Sequence, residues 1–152
     1  MKTKLAKLAC LFVLVLQTAA FAHGSPKEVN EKVIRAFHDA FPLAEKVDWK
    51  EKDNGYVVYF MENAIRSQIE YDLDGNFLSA IRYYQNPCLL PLRLSWQLHK
   101  KFGDKTVYGI TETSSGSKTF YYVKLEGQSD WVTVRGNANG NLRVVEKLDK
   151  QQ

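Results

Sequence analysis

The chain has 152 residues, a formal net charge of +4, 45% hydrophobic residues and two cysteines. This length allows one domain or two small ones. The first 22 residues contain three lysines and no acids, so the remaining 130 residues carry a net charge of only +1. A nearly neutral chain argues against electrostatic binding to nucleic acid or to a membrane surface.

The N-terminal segment has the pattern of a secretory signal peptide. A basic start is followed by an apolar run at residues 8–16 and by the small-residue sequence Ala20-Phe21-Ala22. We expect residues 1–22 to be cleaved after Ala22 and the mature chain to be periplasmic or secreted. The apolar run is too short to span a bilayer, so no membrane span is expected.

Cleavage would leave Cys88 as the single cysteine, and an internal disulfide would then be impossible. The fold must therefore be stabilised by its apolar core. We expect Cys88 to be a small buried hydrophobic residue, and an intermolecular disulfide is the alternative.

A helix is predicted at the start of the mature chain. Ser25, Pro26 and Glu28 have the spacing of a capping box with proline at the first helical position. Apolar residues then recur at steps of three and four until Pro42, and form one stripe on the helix: Val29, Val33, Ala36, Phe37, Ala40 and Phe41.

Four strands with alternating apolar residues are predicted next, separated by turns containing Gly55, Asn63 and Gly75. Together they form an antiparallel meander. The residues expected to face the helix are Val47, Trp49, Tyr56, Val58, Phe60, Ile65, Ser67, Ile69, Tyr71, Phe77, Ser79, Ile81 and Tyr83.

The same order then occurs a second time. Leu94, Leu98 and Phe102 mark a second helix that ends at Gly103, and strands are predicted near 107–113, 119–125, 130–135 and 142–148. We therefore predict an α+β fold of two tandem α-β-β-β-β units, at 23–86 and 87–152. Their helices would pack on one face of a curved antiparallel sheet.

Residues 70–81 contain Glu70, Asp72 and Asp74 followed by Gly75, as in an EF-hand calcium loop. The corresponding acidic positions of the second unit are not acidic, and both stretches lie between predicted strands rather than helices. Asp-Gly and Asn-Gly between strands are strong hairpin signals. We interpret these residues as turns and expect no metal site.

The helix ending A-F-x-x-A-F-P, the V-x-W and Y-x-V-x-F strands, and the Y-D-x-D-G-N turn resemble the bacterial secreted PepSY-like family. The resemblance extends from about residue 28 to 148, and that family is itself similar to the β-lactamase-inhibitor-protein (BLIP) fold. It implies tandem α/β units in the periplasm or outside the cell. The chain lacks the disulfides of the true inhibitor fold, and the resemblance does not imply lactamase inhibition.

The sequence contains none of the common catalytic motifs, and we expect no enzymatic activity and no cofactor. His38 and His99 occupy matched positions on the two helices and are interpreted as polar flanks. His23 would become the mature N-terminus, where its amino group and imidazole could chelate copper. A solvated terminus is the simpler interpretation.

Alternation predicts a second, aromatic face of the sheet turned away from the helices. Its tyrosine, tryptophan, methionine and arginine are typical of protein-contact surfaces. Two alternatives remain: stiffening cross-strand pairs, or a register error that would bury these side chains. The predicted binding residues are Tyr59, Met61, Arg66, Arg82, Tyr84, Tyr122 and Trp131.

Three function classes follow. The first is a non-enzymatic binding module, such as an inhibitor, that binds an unknown protein or peptide of the cell envelope on the aromatic sheet face. This module would be a monomer. The second is a structural or chaperone-like envelope protein without a defined ligand. The third is an enzyme or a copper-binding protein that uses His23.

Overall fold

The computed structural model describes residues 29–151. The predicted signal peptide at residues 1–22, His23 and the capping box of Ser25 to Glu28 lie outside the described residues. Within them the chain forms an α+β fold with two α-helices and one eight-stranded antiparallel sheet.

The helices are α1 (Glu31–Ala40) and α2 (Leu92–Phe102), with a short 3₁₀ turn at Pro87–Leu89 before α2. Sequential strands are neighbours throughout the sheet, so the strand order is that of an antiparallel meander. The strands are β1 (Glu45–Lys52), β2 (Gly55–Glu62), β3 (Ile65–Asp72), β4 (Phe77–Tyr84), β5 (Thr106–Ser115), β6 (Lys118–Glu126), β7 (Asp130–Gly136) and β8 (Leu142–Asp149).

Helix α1 begins at Glu31 because Asn30 caps it. The Asn30 side-chain oxygen accepts the backbone N–H of Lys32 at 2.9 Å and so satisfies one of the unpaired donors of the first turn. Val33 and Phe37 are fully buried, and Val29 is buried although it precedes the helix. The predicted apolar stripe therefore contributes to the core, but one of its members, Val29, lies before the first residue of the helix.

Two hydrophobic clusters fill the space between the helices and the sheet. Val33 and Phe37 of α1 pack with residues of the first four strands, including Val58 and Phe60. Leu94 and Leu98 of α2 pack with Tyr84 of β4 and with residues of β5, β6 and β7. Both clusters lie on the same face of the sheet, because Ile69 is opposite Ala80 on β4, and Tyr84 of the same strand is opposite Ile110.

A β-bulge in β4 reverses the face that we predicted for most of that strand. Glu70 is opposite Ser79 but Tyr71 is opposite Phe77, so Leu78 is an extra residue. Beyond Leu78 the alternation is shifted by one position. The predictions that Ser79, Ile81 and Tyr83 face the helices are therefore wrong, and Ala80 and Tyr84 are buried instead.

A second bulge lies in β1, where Glu45 is opposite Met61 and Asp48 is opposite Tyr59. Lys46 there has a positive φ of 54°. Val47, which we predicted to face the core, is exposed as a result. Trp49, beyond the bulge, packs against the first cluster as predicted.

Cys88 is exposed, and the prediction that it is buried is wrong. It lies in the 3₁₀ turn at Pro87–Leu89, where Asn86 accepts its backbone N–H at 3.0 Å. The neighbouring Leu90, rather than Cys88, contributes the buried side chain of this connection.

Candidate binding face

The side of the sheet turned away from α1 and α2 is called the open face here. Residues directly opposite each other on neighbouring strands share a face, so the register decides which side chains belong to it. Five of the seven predicted binding residues project from the open face: Tyr59, Met61, Arg66, Tyr122 and Trp131. That they bind a partner stays a prediction.

Arg82 and Tyr84 project from the opposite side, and their assignment to the open face is wrong. The cause is the bulge at Leu78, which turns Tyr84 into the core and brings Tyr83 to the open face. The Tyr84 hydroxyl donates to Glu112 Oε2 at 2.9 Å, and Arg82 donates to Glu112 Oε1 at 3.2 Å. Burial, followed by the Glu112 carboxylate, raises the pKa of Tyr84 well above its usual value. These side chains form a polar network on the helix side.

One continuous row of side chains crosses the open face from β2 to β8. Each member is directly opposite the next in the register, so their side chains lie side by side. Along the row, the Arg66 guanidinium lies over the Tyr83 ring at 5.0 Å. The row consists of Met61, Arg66, Tyr83, Thr111, Tyr122, Arg135 and Arg143.

An open cleft of about 1090 Å³ lies along the central part of this row. Met61, Arg66, Tyr83 and Tyr122 line it, and Tyr108 forms part of the wall. Its other lining residues come from the connection after β2, from the segment after β4 and from strands β3 to β8, and they include Tyr84 and Ile110 at the margin of the core. The cleft combines aromatic side chains with a few charged groups, as ligand sites of proteins commonly do.

Trp131 and Tyr108 form an aromatic pair beside the cleft. Their rings meet edge to face, with centroids 5.0 Å apart and planes at 83°. Lys124 and Lys150 place their ammonium groups 5.1 Å and 5.0 Å from the Trp131 ring centroid. Two cations thus lie within cation–π distance of the Trp131 ring, while Tyr108 remains 55% exposed.

Sequence reasoning missed Tyr83 and Tyr108 as members of the open face. Tyr108 lies at a further bulge, since Val107 is opposite Leu125 while Gly109 is opposite Lys124. Counting from Val107 places Tyr108 on the open face, but counting back from the buried Ile110 places it on the helix side, so alternation alone does not assign it. Tyr83 could not be assigned by alternation, because nothing in the sequence marks Leu78 as a bulge.

The acidic residues of the EF-hand-like stretch have separate partners. Glu70 accepts from Lys52 at 2.9 Å and Asp74 accepts from Lys32 at 3.0 Å. The pKa of Asp72 is lowered, mainly because the Asn76 side chain donates to its carboxylate. Among residues 29–151, no group of three or more histidine, cysteine, aspartate or glutamate side chains is placed to hold a metal ion.

The sequence matches no protein-family model and no curated protein. Solved structures of several Bacteroides proteins share its fold. A BLIP-like protein from Bacteroides fragilis is 16% identical, with a TM-score of 0.58 over 81% of this chain and 87% of that one. A DUF2874 family protein from Bacteroides uniformis is 13% identical, with a TM-score of 0.55 over 78% and 88% of the two chains.

A third similar structure is a proposed periplasmic protein from Bacteroides eggerthii. It is 13% identical, with a TM-score of 0.56 over 81% of this chain and 90% of that one. These likenesses support a fold of the BLIP-like and PepSY-like kind, as the sequence resemblance implied. In the described part of the chain, no helix is long and apolar enough to cross a membrane.

Proposed function

We propose that this chain is a non-enzymatic binding module, exported to the periplasm or secreted, that holds a protein or peptide on its open face. The observation that carries the proposal is the cleft of about 1090 Å³ on that face. The fold it shares with a BLIP-like protein and with a proposed periplasmic protein supports a protein-binding role outside the cytoplasm. An inhibitor of an unidentified protein is one form of this function.

The chemistry of the cleft supports a protein or peptide ligand. Tyrosine, arginine and methionine side chains are enriched where proteins contact each other, and tyrosine and arginine often dominate the binding energy. Tyr83 and Tyr108 remain 37% and 55% exposed, so a partner can still remove much of their surface from water. The revised binding set is Tyr59, Met61, Arg66, Tyr83, Tyr108, Tyr122 and Trp131.

We also infer that the binding module consists of two tandem α-β-β-β-β units, at 23–86 and 87–152, and acts as a monomer. Two matched contacts support the duplication. A Cβ added at Gly75 would lie 3.0 Å from the Lys32 carbonyl oxygen of α1, and one at Gly140 would lie 3.0 Å from the Arg93 carbonyl oxygen of α2. Corresponding hairpins thus approach corresponding helices equally closely.

Site-specific photo-crosslinking in living cells tests the binding proposal. A photoreactive amino acid at Tyr83 or Tyr122 should crosslink a defined partner, which mass spectrometry of the crosslinked band can identify. The matched control is the same amino acid at Trp96, which is an exposed aromatic residue on α2. Adding Tyr108→Ala to the Tyr83 probe should weaken the crosslink because it removes one wall of the cleft.

Two results would contradict the binding proposal. Crosslinks to many proteins, equal at Tyr83 and Trp96, would favour the structural or chaperone-like alternative. If neither Tyr83 nor Tyr122 crosslinks to a partner, the cleft no longer supports a binding function. The copper alternative uses His23, which lies outside the described residues, and a copper complex lost in His23→Ala would favour it.

A further inference from the structure

Two arginines lie side by side at the β8 end of the row on the open face. Arg135 of β7 is directly opposite Arg143 of β8, and both project from that face. None of the ion pairs formed within residues 29–151 includes either of them. Two adjacent cations without an acid repel each other, and an anion between them would relieve that repulsion.

The Arg135 guanidinium is fixed in place by Phe120. Its central carbon lies 3.7 Å from the Phe120 ring centroid, a contact that arginine makes well because its charged group is planar and weakly hydrated. Stacking on one face leaves the N–H groups at the edge of the guanidinium available to a ligand.

The Nε atom of Arg135 is buried and has no hydrogen-bond partner among the described residues. Buried donors in proteins are almost always paired, because an unpaired donor loses its hydration without compensation. No other buried side-chain nitrogen or oxygen in the described range lacks a partner. The Nε–H of Arg135 is therefore a donor whose hydrogen bond no described residue supplies.

A pocket of about 160 Å³ lies at the same place. Phe120, Arg135 and Arg143 line it, together with residues of the turn between β7 and β8, including Asn137 and Asn141. The pocket is separate from the larger cleft, since the two share no lining residue. Its volume suits a small charged group.

We propose that Arg135 and Arg143 form a binding subsite for a carboxylate group. The planar fork of a guanidinium matches the two oxygens of a carboxylate, and such charge-assisted pairs are stronger than neutral hydrogen bonds. This inference goes beyond the proposed function, because a small carboxylate can occupy the subsite without a protein partner. A peptide on the open face would place an acidic side chain or its C-terminal carboxylate there.

The adjacent turn argues for a carboxylate over a phosphate. Phosphate sites commonly use a concave group of backbone N–H donors. In this turn the backbone N–H groups of Asn139 and Asn141 already donate to Asn137 Oδ1, each at 3.1 Å. The Gly140 N–H donates to the Asn137 carbonyl at 2.9 Å. These donors are therefore unavailable to a tetrahedral anion.

Nuclear magnetic resonance of the ¹⁵N-labelled purified protein tests the subsite. The probe is acetate, titrated at low and constant ionic strength against chloride, with inorganic phosphate in a parallel titration. We expect acetate to shift the Arg135 Nε–H resonance with a saturable curve. In Arg143→Gln the apparent Kd should rise at least about tenfold, because one of two charged donors is lost.

The matched control is Arg93→Gln, which removes an exposed arginine from α2 and should leave the Kd for acetate unchanged. Arg135→Lys keeps the charge but removes Nε, and acetate should no longer shift the Phe120 amide resonance. A linear, unsaturated shift, an unchanged Kd in Arg143→Gln, or tighter binding of phosphate than of acetate would each overturn the carboxylate subsite. The amide spectrum of each variant shows whether it is folded.

Discussion

Asp72 and Asn137 make the same turn, one in the β3–β4 hairpin and one in the β7–β8 hairpin. In each, the side-chain Oδ1 accepts the backbone N–H groups two and four residues later, at 2.9 Å for Asp72 and 3.1 Å for Asn137. The backbone carbonyl of each residue also accepts the N–H of the turn glycine, Gly75 or Gly140. A carboxylate and an amide thus accept the same backbone donors in this turn. The second oxygen of Asp72 also accepts the Asn76 side-chain amide at 2.8 Å, a bond that Asn137 does not make.

This equivalence predicts the behaviour of the EF-hand-like stretch. Asp72→Asn should lower the melting temperature only slightly, since asparagine keeps the acceptor for both backbone donors and loses only the exposed bond from the Asn76 side chain. Asp72→Ala should lower it, because two backbone donors lose their partner. Thermal melts with and without calcium check both expectations. A calcium-dependent rise in the wild-type protein that is absent in Asp72→Asn would restore the calcium interpretation.

The turn glycines should be sensitive to added side chains. Gly75 and Gly140 have φ of 84° and 81°, and alanine in this region costs about 1 to 2 kcal/mol of stability. Each added Cβ would also press on a helix carbonyl. Gly75→Ala and Gly140→Ala should therefore cost more than Gly116→Ala, where φ is 55° and the added Cβ meets nothing within 4 Å. Urea denaturation measures the three differences, and equal costs would contradict the helix contact.

Neighbouring tyrosines of β4 test the bulge and the open face together. Tyr84 is 7% exposed and lies in the second cluster, so Tyr84→Ala should cost roughly 3 to 5 kcal/mol. Tyr83 is 37% exposed on the open face, and Tyr83→Ala should change stability by less than about 0.5 kcal/mol. Chemical denaturation compares the variants. The reverse order would mean that β4 keeps the uninterrupted alternation we predicted from sequence.

A buried ion pair should make stability depend on pH. Lys105 donates to Asp130, and this hydrogen bond is the main cause that lowers the pKa of Asp130 below the ordinary value of an aspartate. Stabilisation by the Asp130 carboxylate is therefore fully present above the ordinary aspartate pKa and is lost as the pH falls through the lower pKa of the folded state. The stability difference between wild type and Asp130→Asn should shrink in that window.

The urea midpoint, measured from about pH 7 to about pH 2, checks this expectation. Asp104→Asn is the control, because Asp104 lies 3.7 Å from the same lysine but its side chain is 76% exposed. Exposed pairs contribute little, so its pH profile should follow that of the wild type. A difference between wild type and Asp130→Asn that stays constant at all pH values would show that the Asp130 charge is irrelevant to stability.

Local signals in the sequence determined the elements of this fold. The apolar period of Leu94, Leu98 and Phe102 with Gly103 behind it predicted α2, and glycine-containing turns separated the strands. Helix periodicity, alternation and turn chemistry act between residues close in the chain, so one sequence is enough to find them. The same signals identified the stretch around Asp72 as a hairpin, and the structure has a hairpin there.

Only the tertiary structure decided which side chains the open face presents. The extra residue Leu78 moves Arg82 and Tyr84 to the helix side and Tyr83 to the open face, because one inserted residue inverts all later positions of a strand. The pairing of Arg135 with Arg143, eight residues apart in sequence, likewise depends on the register of β7 with β8. A turn can set the register next to it, but the face that a strand presents beyond a bulge is settled by packing across the sheet.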